Sequence, residues 1–159
     1  METTLCYVIK DGKILLIHKK RGFGAGKVNA PGGRIEEGES PEQCAVRELR
    51  EEIGVTPAGI RKVGINRFFN GKERLMVHIF TASGFDGELK ETDEAEPFWE
   101  SIDSIPFDRM WDDDVHWFPY MLEGRTFAGN FTFSEDWKEI IEYKIEETGQ
   151  WSTGMTNGK

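Results

Sequence analysis

Three glutamates, Glu48, Glu51 and Glu52, stand at spacing i, i+3, i+4 in a stretch rich in Glu, Arg, Leu and Ala. On a helix that spacing sets all three on one face, a turn apart. Like charges so placed repel each other. A hard divalent cation such as Mg²⁺ or Mn²⁺, which favours carboxylate oxygens, is the natural counter-charge. A solvated face is the other reading of an acid-rich helix, and spacing alone leaves both open. Just upstream, Gly32-Gly33 lets the backbone come close to a ligand, and its carbonyl oxygens could join a metal shell. Glu39 before the helix and Arg47 within it have the charges for an ion pair that ties loop to helix. A second cluster is Asp112-Asp113-Asp114 between Trp111 and Trp117. Aromatic faces stack on planar rings, and buried carboxyls read donors and acceptors on their edges. The same residues could instead cap a helix and fill a core.

These groups need a frame. Ser40 can cap a helix, Pro41 suits its first position, and Gln43 completes a capping box. Gly54 is placed to end it. Ala45, Leu49 and Ile53, four apart, give this helix a narrow buried stripe. Leu5 to Ile9 and Lys13 to Ile17 read as strands joined at Asp11-Gly12, and Ile60 to Phe69 and Arg74 to Ala82 as strands joined at Asn70-Gly71. The glycine-rich run from Arg21 to Gly33 is expected to be a long irregular loop. Glu96 to Ile102 predicts a short strand and Asp112 to Leu122 a short helix capped by an aspartate. Phe127, Phe131 and Phe133 share one face of a further strand, and Ile141, Tyr143 and Ile145 alternate along a last one. Residues 1–147 form the expected domain, a mixed sheet with one strong helix, and a polar tail follows from Thr148.

The 159 residues (18.2 kDa) suit one domain. The net charge of −9 argues against a surface that coats a nucleic acid polymer. Two cysteines, Cys6 and Cys44, without a C-x-x-C, read as buried thiols in a reducing cytosol. No apolar run approaches the ~18 residues of a membrane helix, and the first residues lack the pattern of a secretory leader. A cytoplasmic protein, with no membrane partner, is expected, as a monomer or a homodimer.

The residues Gly33, Glu39, Arg47-Glu48-Leu49, Glu51-Glu52 and Gly54-Val55 fill nine restricted positions within 23 residues. By composition such a match has a chance on the order of 10⁻⁹ per window. The pattern resembles the complete signature of the Nudix hydrolases. The resemblance implies an α/β/α sandwich around a mixed sheet and hydrolysis of a nucleoside diphosphate linked to another group, with Mg²⁺ or Mn²⁺. It implies that Glu48, Glu51 and Glu52 hold the metal together with a carbonyl of Gly32 or Gly33, and that Glu52 also activates water. Charge explains the chemistry: cations neutralise the polyphosphate and acidify the attacking water.

Lys19 to Gly26, Asn29, Ile105-Pro106-Phe107 and Met110 to Pro119 further resemble the animal-type subgroup that acts on oxidised purine nucleoside triphosphates such as 8-oxo-dGTP and 2-hydroxy-dATP. In that subgroup's pattern Asn29, Asp113 and Asp114 read the base, Trp111 stacks on it, and Phe23, Phe68 and Trp117 line the cleft. Lys19 is either a surface charge or a group near the substrate. Glu94 is either part of a solvated acidic run or an auxiliary metal ligand. If Asp113 and Asp114 meet in an apolar pocket, repulsion should leave one of them protonated. Ala30-Pro31, Val28 and the stretch 66–76 depart from the subgroup and border the expected base site. The alternative is a Nudix pyrophosphohydrolase of another compound: a general nucleoside triphosphate, ADP-ribose or a dinucleoside polyphosphate.

Overall fold

The computed structural model describes residues 1–149. Among them the main sheet runs β11-β10-β6-β7-β1-β2-β3, with β4 beside β1 and β9 beside β2. The strands are β1 (Glu2–Lys10), β2 (Lys13–Lys19), β3 (Val28–Asn29), β4 (Gly32–Arg34), β6 (Arg61–Phe69), β7 (Arg74–Ala82), β9 (Ala95–Ser101), β10 (Phe127–Phe133) and β11 (Ile140–Glu147). The pairs β1–β7 and β6–β10 are parallel, and the hairpins β1–β2 and β6–β7 are antiparallel, so the sheet is mixed. A separate ribbon pairs β5 (Thr56–Ala58) with β8 (Gly84–Asp86).

Two helices cover opposite faces. Successive strand residues alternate sides, and the two hydrophobic clusters divide accordingly. Cys6, Val8, Leu15 and Ile17 pack with Ala45, Leu49 and Ile53 of α1 (Pro41–Ile53). Tyr7, Ile14, Leu16, Val77 and Ile79 pack with Trp117, Phe118 and Met121 of α2 (Asp114–Leu122). The expected sandwich is therefore the observed one. The boundaries of α1 follow its local signals. The Ser40 side chain accepts from the Gln43 N–H, Gln43 returns the bond to the Ser40 N–H, and Gly54 closes the helix at φ 80°.

Two expectations need correction. The run to Gly33 is not wholly irregular, because Val28–Asn29 pairs with β2 and Gly32–Arg34 pairs with β1. Gly32 is required there, since a side chain would collide with the Thr4 carbonyl. Nor does an aspartate side chain cap α2. Asp113 occupies the cap position without a capping bond, because its carboxylate is engaged elsewhere. Thr148 is tied to Thr126 by two hydrogen bonds, and the rest of the expected tail, residues 150–159, lies outside the described residues.

Candidate active site

The first turns of α1 meet β4 through Arg47. Its guanidinium grips Glu39 with two bonds, Nε to Oε2 at 2.6 Å and Nη2 to Oε1 at 3.0 Å. It also donates to Glu48 at 3.0 Å, to Glu51 at 3.2 Å and to the Arg34 carbonyl at 3.1 Å. This is the expected tie between loop and helix. The Arg47 bond holds the Glu39 carboxyl below its usual range.

Glu48 is packed so close to Gly33 that any side chain there would strike its carboxylate. Glu52 is buried and accepts the Gly32 N–H at 3.2 Å. Burial, then a hydrogen bond and charge from Glu48, push the Glu52 pKa up to about 9. Glu51 stays exposed on the outer side of the turn. Among the described residues no three acidic, histidine or cysteine groups converge tightly enough to hold a metal as they stand. The donor set nonetheless fits a hard divalent cation. Two carboxylates, Glu48 and Glu52, are pressed together against the Gly32-Gly33 backbone with one basic partner, Arg47. Glu94 pairs with Arg21 at 3.5 Å and is half exposed; its charge adds to the rise at Glu52, which places it near the acidic turn.

From Glu52 a cavity of about 440 Å³ runs across the α2 face of the sheet. That is a usual size for a small-molecule site. Gly32, Gly33, Glu52 and Lys19 line it together with Asn29, Phe23, Phe68, Trp111, Asp113, Asp114 and Trp117. The structure thus brings both sequence clusters into one space. Glu39, Arg47, Glu48, Glu51 and Glu94 stand outside its wall.

The far part of the cavity is built from α2. Trp117 is buried and donates its indole N–H to Asp113 at 2.8 Å. Burial raises the Asp113 pKa to about 6 against that bond. Asp114 is driven well above the carboxylate range by burial and by the charge and hydrogen bond of Asp113. The pair therefore keeps a shared proton, and Asp114 Oδ2 has no partner among the described residues. Tyr7, itself kept protonated by burial and by the Asp114 and Asp113 charges, reaches Asn29 Oδ1 at 3.5 Å. The Ala30 N–H holds the same oxygen at 2.8 Å, leaving the Asn29 NH₂ for a ligand. Phe68 points inward and stacks on Phe131. Phe23 is exposed at the mouth and stacks on Trp111 at 5.0 Å.

Trp137 and Asn66 are among the lining residues that escaped the sequence reading. Trp137 sits beside Phe23 and Phe133 on a loop that holds it at φ 66°. Asn66 lies on the cavity floor. An asparagine in the otherwise inward positions Gly64, Asn66 and Phe68 was the one available signal.

The NUDIX domain model matches residues 2–121, which takes in α1, all but the last residue of α2 and most of the cavity lining. The chain belongs to the Nudix family. It is 49% identical to an oxidized purine nucleoside triphosphate hydrolase of Danio rerio over 91% of this chain and 93% of that protein. It is 44% identical to the protein of the same name from Mus musculus, with the same coverage. The Mutator MutT protein of Bacillus halodurans superposes with a TM-score of 0.82 at 29% identity, covering 91% of this chain and 97% of that one. Both Nudix helices and the mixed sheet are therefore shared features, and among the described residues no helix is long and apolar enough to cross a membrane.

Proposed function

We propose that this Nudix enzyme hydrolyses oxidised purine nucleoside triphosphates, such as 8-oxo-dGTP and 2-hydroxy-dATP, to the monophosphate and pyrophosphate. The observation that carries the reading is the Asp113–Asp114 pair, buried in the lining of the cavity that Glu52 also lines. A purine fits between Trp111 and the apolar floor, and an Asp113–Asp114 pair that shares one proton offers it one donor and one acceptor. The triphosphate then extends toward Lys19, Gly32-Gly33 and the acidic turn of α1.

Glu48, Glu51 and Glu52, with backbone oxygens of Gly32-Gly33, would hold Mg²⁺, with Mn²⁺ as a substitute. When bound, the metal supplies charge neutralisation and a more acidic water. Glu52, the one of the three that lines the cavity, accepts the proton of the attacking water. Arg47 fixes Glu48 and Glu39 and takes no part in proton transfer. Lys19 draws in the phosphates. The role in the cell is removal of damaged nucleotides from the cytoplasmic pool, by a monomer or a homodimer acting without a nucleic acid polymer or a membrane.

The test is kcat/KM with Mg²⁺ across 8-oxo-dGTP, 2-hydroxy-dATP, the ordinary triphosphates and ADP-ribose. A preference for the oxidised purines of ~100-fold, about 2.7 kcal/mol of transition-state binding, is expected. Dominant ADP-ribose turnover refutes the reading. Glu52→Gln should lower kcat by ~10³ or more while the melting temperature stays within a few degrees.

A further inference from the structure

Asn66 of β6 is fully buried, and neither its amide oxygen nor its amide nitrogen has a hydrogen-bond partner among the described residues. An unsatisfied primary amide in a protein interior is costly and rare. This one has been given room. Gly129 of β10 is its neighbour in the parallel pair β6–β10, and a side chain at Gly129 would come within 2.5 Å of the Asn66 amide oxygen. On the other side Asn66 pairs with Val77 of β7.

Pairing places Asn66 on the cavity floor with Phe68, Leu75, Val77 and Ile79, and it is the one polar side chain of those five. The Asp113–Asp114 pair and Trp117 line the same cavity. An amide there carries one donor and one acceptor, does not titrate, and keeps its character at any working pH.

We propose that Asn66 is a specificity-determining residue, whose amide pairs with a donor–acceptor edge of the bound purine. The inference rests on the nucleotide reading above. Unmodified guanine shows two acceptors, N7 and O6, along one edge. In the keto form of an 8-oxopurine N7 carries hydrogen, so a donor stands next to an acceptor, and the amide matches both. Adenine, with N7 and its amino group, is matched as well. Guanine leaves the amide oxygen unpaired. A rotation about the side-chain bonds of Asn66 brings the amide to the base, a change of the kind that accompanies binding in otherwise rigid sites.

The test compares wild type with Asn66→Leu, which keeps the branched shape without the polar atoms, and Asn66→Ala, which truncates it. Each is assayed on 8-oxo-dGTP, dGTP and dATP, with 8-oxo-dGMP binding followed by calorimetry in metal-free buffer and thermal unfolding in parallel. Loss of a buried hydrogen-bond pair should weaken 8-oxo-dGTP and 8-oxo-dGMP about 10-fold or more and dGTP much less, mainly through KM. The leucine variant should melt at the same temperature as wild type or above it, because an unpaired buried amide has gone. A purely structural asparagine would instead lower the melting temperature and move every nucleotide by one factor, which overturns the proposal. So does an unchanged ranking in the alanine variant if leucine fails to fold. A wild-type enzyme with no preference among triphosphates sinks the nucleotide reading itself, whereas a wild-type preference that both variants keep sinks only the role of Asn66.

Discussion

Replacing Arg47 by alanine removes six donated hydrogen bonds from a single side chain: two to Glu39 and one each to Glu48, Glu51, the Arg34 carbonyl and the Cys44 sulfur. Arg47 is 24% exposed, Glu39 14% and Glu48 13%, so solvent screens the group in part. The contact to Glu51, which is 57% exposed, adds little. Taking the low end for charge-assisted bonds, the Glu39 pair and the Glu48 contact together give a loss of about 3 kcal/mol. For a chain of this size that is a fall in melting temperature of roughly 6–12 °C. Arg47→Lys keeps the charge and loses the two-pronged grip, so about half the fall is expected. The assay is thermal unfolding in metal-free buffer and again with excess Mg²⁺. Without arginine Glu48 and Glu52 lack positive charge, so the cation should narrow the gap between variant and wild type. The sign with pH is also fixed. Arg47 depresses the Glu39 pKa, so its contribution is complete above the ordinary Glu range, about 4.3, and is lost as pH falls through the depressed value. The variant's acid limb should accordingly be flatter. A drop of less than about 2 °C, or a gap that Mg²⁺ leaves untouched, would refute the account of this turn.

Two further outcomes are expected. Asp113 and Asp114 keep protons that the unfolded chain releases, so wild-type stability should decline as pH rises from about 4 through the raised Asp113 value of about 6. Urea unfolding of Asp114→Asn across that window should show a shallower decline, and parallel curves would contradict a shared proton. Gly32→Ala should destabilise the metal-free protein more than Gly33→Ala, because the first meets the rigid Thr4 backbone and the second the mobile Glu48 carboxylate. Gly33→Ala should cost about 1–3 kcal/mol and should weaken Mg²⁺ binding by calorimetry, whereas equal losses in both variants would deny the difference.

What the sequence made legible is local or strongly patterned. Ser40, Gln43 and Gly54 mark α1 because capping needs only neighbours a turn away, and the hairpins declare themselves at Asp11-Gly12 and Asn70-Gly71. The acidic face and its arginine are readable for the same reason. What escaped depends on pairing across the chain. The ribbon β5–β8 joins Thr56 to Asp86, and β4 exists because Gly33 lies beside Thr4, and neither partner signals the other. The inward face of Phe68 and the burial of Asn66 likewise follow from register with Leu75, Val77 and Gly129. Trp137 adopts a left-handed backbone that its residue type disfavours, so nothing in its neighbourhood announces it.

Strand β1 sends Cys6 and Val8 to the helix with the acidic turn and Tyr7 to the side packed by α2. The sheet is thus a partition between two interiors, one that sets the reactive carboxylates and one that shapes the chamber. Mutations among the apolar side chains of the α2-side cluster can accumulate without loosening the packing of α1, because the two clusters share backbone and no side chain. Such a protein can exchange one nucleotide for another over its history by repapering a single room, and the catalytic wall is inherited intact.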